Sequence, residues 1–185
     1  MALQIGVDAP WVISWSEEES FDIRPCRWVE GRLAVWQPHR SGSGRPLFAR
    51  PHSVRQRKAI RLGLCSMCGE PIRMPTAPWW FGLGVWLHGG EKTGPIFMTQ
   101  EPGLHRACAV RAAEMCPHLK ARHLVAAPMP IMAADIAASI VGGEACERDF
   151  GIRPQGRTVH GALKLAWRGG HLDDQDLRVI ERARK

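Results

Sequence analysis

Asparagine and tyrosine are absent from this chain, and lysine is scarce, with 5 lysines against 20 arginines in 185 residues. That bias marks a GC-rich coding genome, as in many bacteria and their phages. Long apolar runs are missing too. The longest uncharged stretch, Met74 to Gly90, is broken by two prolines and four glycines, whereas a membrane helix wants ~18 or more mostly apolar residues. The N-terminus has neither a charged start nor a continuous apolar stretch of the secretory kind. A cytoplasmic protein is therefore expected. In that compartment the six cysteines read as metal ligands or core thiols and not as disulfides. The chain is long enough to bury a real core without cross-links.

Acidic residues are missing from one segment in particular. Gly31 to Leu62 holds eight basic residues (Arg32, Arg40, Arg45, Arg50, Arg55, Arg57, Lys58, Arg61) and no Asp or Glu. The chain carries +7 in all, so removing these eight leaves −1 for the other 153 residues. A basic excess concentrated in this way is the footprint of a polyanionic partner. It also reads as an ordinary solvated basic face.

The chain is expected to be α+β, with short N-terminal strands, a central metal module and C-terminal helices. Residues 1–36 alternate apolar and polar positions around Trp, Val and Ile, and Glu30-Gly31 suits a hairpin turn. Residues 37–51 are rich in Gly, Ser and Pro and read as a basic loop or linker. His52 to Gly63 reads as a basic helix with Ser53 as its N-cap. Residues 52–123 form the metal module. Within it, Pro78 to His88 and Pro95 to Met98 are expected strands. Residues 130–185 are expected to be helical, with helices over Ile131–Asp149, Gly161–Arg168 and Asp173–Arg184.

The metal reading rests on two paired sets. Cys65 and Cys68 stand at C-x2-C spacing with Gly69 directly after, the pattern of a zinc knuckle. His105 and Cys108 follow at H-x2-C, and residues i and i+3 of a helix share a face. Together they make a Cys3His tetrahedral set for one structural Zn2+. A knuckle, a hairpin insertion and two ligands in the first turn of a helix match the treble-clef arrangement. Cys116 lies too far along the same helix to join, roughly 16 Å from His105 at ~1.5 Å per residue. It continues an apolar stripe with Ala109, Ala112 and Ala113 and belongs to the core. Pro117 marks the helix exit. Cys26 and Cys146 are isolated and read as core. His88, His118 and His123 receive no role, although a second site among them is an alternative.

The segments "RQRKAIRLGLCSMCGEP" and "HRACAVRAAEMCPHL" resemble a group of actinobacterial and phage proteins in which a basic helix runs into a CxxCG knuckle and a second ligand pair precedes a "CPHL" helix exit. The resemblance covers His52 to Leu119. In that group the second pair is usually C-x2-C, and here His105 takes the first place. The resemblance implies the metal and a bacterial or phage origin, and nothing catalytic.

Treble clefs also carry HNH nucleases, whose base is commonly oriented by an Asn. This chain has no Asn and no His-His or Asp-His dyad near the expected hairpin. No nucleotide-binding, nucleophile-elbow or H-E-x-x-H pattern occurs. Four good ligands point to a closed structural site, because a catalytic zinc keeps one position open. The expectation is a non-enzymatic, zinc-stapled binding protein, with an HNH-like metal-dependent nuclease kept as an alternative. Arg40, Arg45, Arg50, Arg55, Arg57, Lys58 and Arg61 would contact nucleic acid, and Trp79, Trp80 and Trp86 would either stack on bases or fill the core. An acidic host protein is the alternative partner.

Overall fold

The computed structural model describes residues 3–73, 78–81, 85–88, 95–121, 126–128 and 134–168. The elements run β1 (Ile13–Trp15), β2 (Asp22–Pro25), β3 (Leu33–Trp36), β4 (Pro46–Pro51), α1 (Ser53–Leu62), β5 (Trp79–Phe81), β6 (Val85–His88), β7 (Pro95–Thr99), α2 (Arg106–Met115), α3 (Pro117–Ala121), β8 (Ala126–Pro128), β9 (Asp135–Val141), α4 (Gly143–Phe150) and β10 (Val159–Arg168). The class is α+β, as the sequence implies. β2 and β3 form the expected antiparallel pair, with left-handed backbone at Glu30 and Gly31 in the turn. No helix among the described residues is long and apolar enough to cross a membrane.

Four expected elements differ. The strand expected over Pro78–His88 is two strands in separate sheets, β5 paired with β8 and β6 with β7. The end of the basic linker is a strand, because β4 pairs with β1. Residues expected to form one helix over 131–149 divide into β9 and α4 on either side of Gly142. The helix expected over 161–168 is part of β10. Here Leu163, Leu165 and Trp167 alternate with polar or small neighbours and are all fully buried. That period of two outweighs the helix propensity of Ala, Leu and Lys. The helix expected over Asp173–Arg184 lies outside the described residues.

β10 is the axis of the main sheet. β9 runs antiparallel along one side of it. The other side is shared: β3 pairs in parallel at His160, and β7 pairs antiparallel from Leu165 to Arg168. β2 flanks β3 and β6 flanks β7. Between the two pairings the backbone of Leu163 would lack a partner. The Gln56 side chain supplies one. Its amide nitrogen donates to Leu163 O (2.8 Å) and its oxygen accepts from Leu163 N–H (3.0 Å). A side-chain amide thus stands in for a missing strand residue, as buried backbone groups require.

Gln56 lies in the buried first half of α1. Arg55, Gln56 and Arg57 are at most 1% exposed. Arg57 donates to Gly161 O (2.9 Å) and to Val35 O, so it ties β10 to β3. Arg55 holds both carboxylate oxygens of Glu18, at 2.8 and 2.6 Å, and also donates to the Ser41 hydroxyl and Ile13 O. Glu18 further accepts the backbone N–H groups of Trp15 (2.9 Å) and Arg40 (2.7 Å). These bonds fill most of the pair's remaining hydrogen-bonding capacity, as a buried ion pair requires, while Arg55 Nε stays buried with no hydrogen-bond partner among the described residues.

The helix N-cap is His52, not Ser53. Its Nδ1 accepts from Val54 N–H and Arg55 N–H, both at 3.2 Å, and its Nε2 lies 3.0 Å from Pro38 O. These contacts fit the neutral ring with hydrogen on Nε2. Protonation would turn the capping nitrogen into a donor and put positive charge at a helix N-terminus.

Two predictions follow from this interior. Arg55→Met should cost roughly 3–5 kcal/mol in urea unfolding, because it strands a buried carboxylate. The double variant Glu18→Leu/Arg55→Met should recover part of that loss. The second concerns acid. Burial, then the Arg55 charge, hold the His52 pKa down from 6.5 to about 4. Between those values the unfolded chain takes up a proton that the folded chain refuses, so stability falls as pH falls through this window, by roughly 3 kcal/mol in total. Burial pushes the Glu18 carboxyl up, but hydrogen bonds from Arg55 and Arg40 N–H outweigh it and hold the group below its ordinary 4.5. Its contribution is lost at still lower pH. The check is urea unfolding from pH 7 to 4 for wild type and His52→Asn, which caps without titrating. The wild-type slope should exceed that of the variant, and parallel slopes would contradict the assignment.

Candidate metal centre

The first ligand pair is built where α1 stops. Gly63 adopts a left-handed conformation and ends the helix. The chain then folds back on itself, with Cys65 N–H donating to Glu70 O and Gly69 N–H to Cys65 O, each at 2.9 Å. Gly69 sits at φ +79°, and a Cβ there would lie 2.8 Å from the Trp11 ring. Both facts demand glycine. Trp11 seals the knuckle from outside, and Trp11 N–H and Val12 N–H donate to Met67 O and Ser66 O. The knuckle is therefore fastened to the segment leading into β1.

The second pair opens α2. His105 is the N-cap, with extended backbone, and Cys108 lies in the first turn. The approach is fixed by reciprocal backbone bonds between Trp79 and Leu104 (2.8 and 2.9 Å) and by Ser66 N–H donating to Gly103 O.

The four ligand atoms of Cys65, Cys68, His105 and Cys108 all lie within 4.8 Å of one another. Zn–S bonds of about 2.3 Å in a tetrahedron place sulfurs about 3.8 Å apart, so the group matches one ion. Cys68 Sγ is 3.4 Å from His105 Nδ1. The other ring nitrogen, Nε2, is 3.2 Å from Pro71 O. That carbonyl accepts a hydrogen bond from Nε2–H and leaves Nδ1 free to face the thiols, the usual outer support of a metal-binding imidazole. Cys65 Sγ is fully buried and receives the His105 N–H at 3.5 Å.

Without a cation these thiols resist ionisation. Burial, then the neighbouring Cys65 and Cys68, push the Cys108 thiol up to about 12. Burial likewise raises Cys65. A divalent ion reverses this balance by binding the thiolates and releasing their protons. The donor set and its supports fit zinc.

The remaining cysteines lie where the sequence places them. Cys116 joins the apolar cluster under the knuckle with Ala109, Ala112 and Ala113. Its backbone leaves helical geometry before α3 begins at Pro117. Cys146 is fully buried, and Cys26 packs on the main core.

The seven basic residues are not brought together. Arg55 and Arg57 are interior, which corrects the reading of α1 as an exposed basic face. Their charges are spent on Glu18 and on backbone carbonyls. Lys58 is half-buried, with its ammonium 5.7 Å from the centre of the Trp11 ring. Arg61 donates to Trp28 O and reaches Glu30. Arg50 pairs with Glu19. Arg40 and Arg45 are exposed.

Of the tryptophans, Trp80 is a core residue that packs edge-on against Trp167 and donates to Glu101 O. Trp79 is half-buried, with Arg106 5.7 Å from its ring centre. The side chain of Trp86 and that of His88 lie outside the described residues, as does His123. His118 is exposed. Glu18, Gln37 and His52 escaped the sequence reading, since nothing in their spacing marks them as partners of α1.

The chain matches no protein-family model, and comparison with curated proteins and with solved structures finds no significant similarity.

If the quartet holds one ion, Cys108→Ser should reduce bound zinc from about one equivalent to well below half and destabilise the chain by several kcal/mol. Cys116→Ser should leave the zinc content intact. Zinc quantification by a chromogenic chelator after denaturation checks both, and equal zinc in Cys108→Ser and wild type would contradict the ligand set.

Proposed function

We propose that the chain is a non-enzymatic binding protein with one structural zinc in a treble-clef-like module, and that its exposed basic loop contacts nucleic acid. The observation that carries the metal part is the convergence of Cys65, Cys68, His105 and Cys108 within 4.8 Å. Four protein donors close a tetrahedron and leave no position for substrate or water, which is how structural zinc differs from catalytic zinc.

The nucleic-acid part is supported by how the arginine loop is held. Its backbone is fixed from inside: Arg40 N–H donates to Glu18, the Ser41 hydroxyl accepts from Arg55, and Arg45 N–H donates to the Ser16 hydroxyl. The side chains of Arg40 and Arg45 stay outside. The buried arginine thus positions the loop that displays the exposed ones. Arg50 and Arg61 are engaged in exposed pairs that phosphates can displace. The interface is electrostatic and largely independent of sequence.

Fluorescence anisotropy of the zinc-loaded protein with labelled duplex DNA, single-stranded DNA and RNA tests this reading. With three to five phosphates neutralised on duplex DNA, the log–log salt slope should be about −3 to −4.5. Arg40→Ala/Arg45→Ala should flatten the slope by about 2. No binding at low salt would reject nucleic acid and leave an acidic protein as the partner of the basic loop.

A further inference from the structure

A cavity of about 330 Å3 opens between the β1–β4 pair and the C-terminal end of α4. This is the lower end of the volume range of small-molecule sites. It shares no ligand residue with the metal centre, and its case stands apart from the function proposed above.

The floor is polar, buried and rigid. Ser14 and Gln37 are 3% and 1% exposed. Gln37 is locked by three hydrogen bonds: it donates to Ser14 Oγ (3.0 Å) and Glu18 O (3.2 Å), and it accepts from Ser53 N–H (2.7 Å). Ser14 uses its oxygen as acceptor for Gln37, which leaves its own hydroxyl proton without an acceptor among the described residues. The Ser53 hydroxyl is likewise uncommitted. Both serines line the cavity. One wall is apolar, where Phe21 and Phe150 meet edge to face at 5.1 Å.

The rim carries charge of both signs. Arg50 pairs with Glu19, and Arg148 pairs with Asp149 at 2.7 Å. The charged lining therefore sums to zero. A simple anion would meet two carboxylates, and a simple cation would meet two guanidiniums. A molecule with an ammonium and a carboxylate on the same carbon can exchange with both pairs at once. Exposed pairs of this type contribute little to stability, so exchanging them costs little. The uncommitted hydroxyls supply donors for a carboxylate, and the phenylalanine wall accepts an apolar side chain. We propose that this cavity binds a small zwitterion with an apolar side chain, chemically a free α-amino acid.

The test is a two-dimensional 1H–15N NMR titration of the full-length, zinc-loaded protein. The probes are L-phenylalanine, L-leucine, 3-phenylpropanoate (no ammonium) and 2-phenylethylamine (no carboxylate). Saturable shifts of the Ser14, Gln37, Ser53 and Phe150 amides are expected with at least one amino acid, with each half-analogue binding about tenfold or more weakly. Arg50→Ala should weaken the amino acid by a similar factor while zinc content and urea midpoint hold. Absence of saturable shifts at these amides with both amino acids overturns the site. Binding of 3-phenylpropanoate as tight as that of L-phenylalanine overturns the zwitterion assignment.

Discussion

The ion pair between Arg55 and Glu18 is the constraint on which most of the N-terminal half depends. Two opposite charges are withdrawn from water together, and apart from Arg55 Nε their remaining donors and acceptors are met by the chain. That demand draws in Trp15 N–H, Arg40 N–H, the Ser41 hydroxyl and Ile13 O. It fixes β1, the turn after it and the arginine loop relative to α1. The same helix continues with Gln56 and Arg57, whose polar ends finish the main sheet. A helix that burial of charge would ordinarily forbid becomes the part that joins the other pieces.

The candidate metal centre is attached to this frame at both ends. The knuckle begins where α1 ends, and Trp11, two residues before β1, presses on Gly69. The approach to α2 is held to the knuckle by Gly103 O, which accepts from Ser66 N–H, and to β5 by the Leu104 backbone. Zinc bound at the quartet would therefore brace the approach to β1 as well as the start of α2.

The ligand quartet was legible because metal chemistry restricts both residue type and spacing. The Glu30-Gly31 turn and the Pro95 strand were legible for similar local reasons. The interior role of Arg55 and Arg57 was not, since charge is a property of composition while burial depends on a carboxylate 37 positions away. β10 was misread because Ala, Leu and Lys favour helix locally, whereas its period of two matters only once β7 and β9 are beside it. The cap at His52 was assigned one residue late because histidine is an uncommon capping residue, and its Pro38 support is remote in sequence.

The Gln56 amide reaches Leu163 across 107 positions of chain. At a synthesis rate of about 5–20 residues per second, roughly 5–20 s separate the two residues as they are made. Throughout that interval α1 carries a glutamine and an arginine whose permanent partners on β10 do not yet exist. The main sheet therefore cannot close around α1 until β10 has been made.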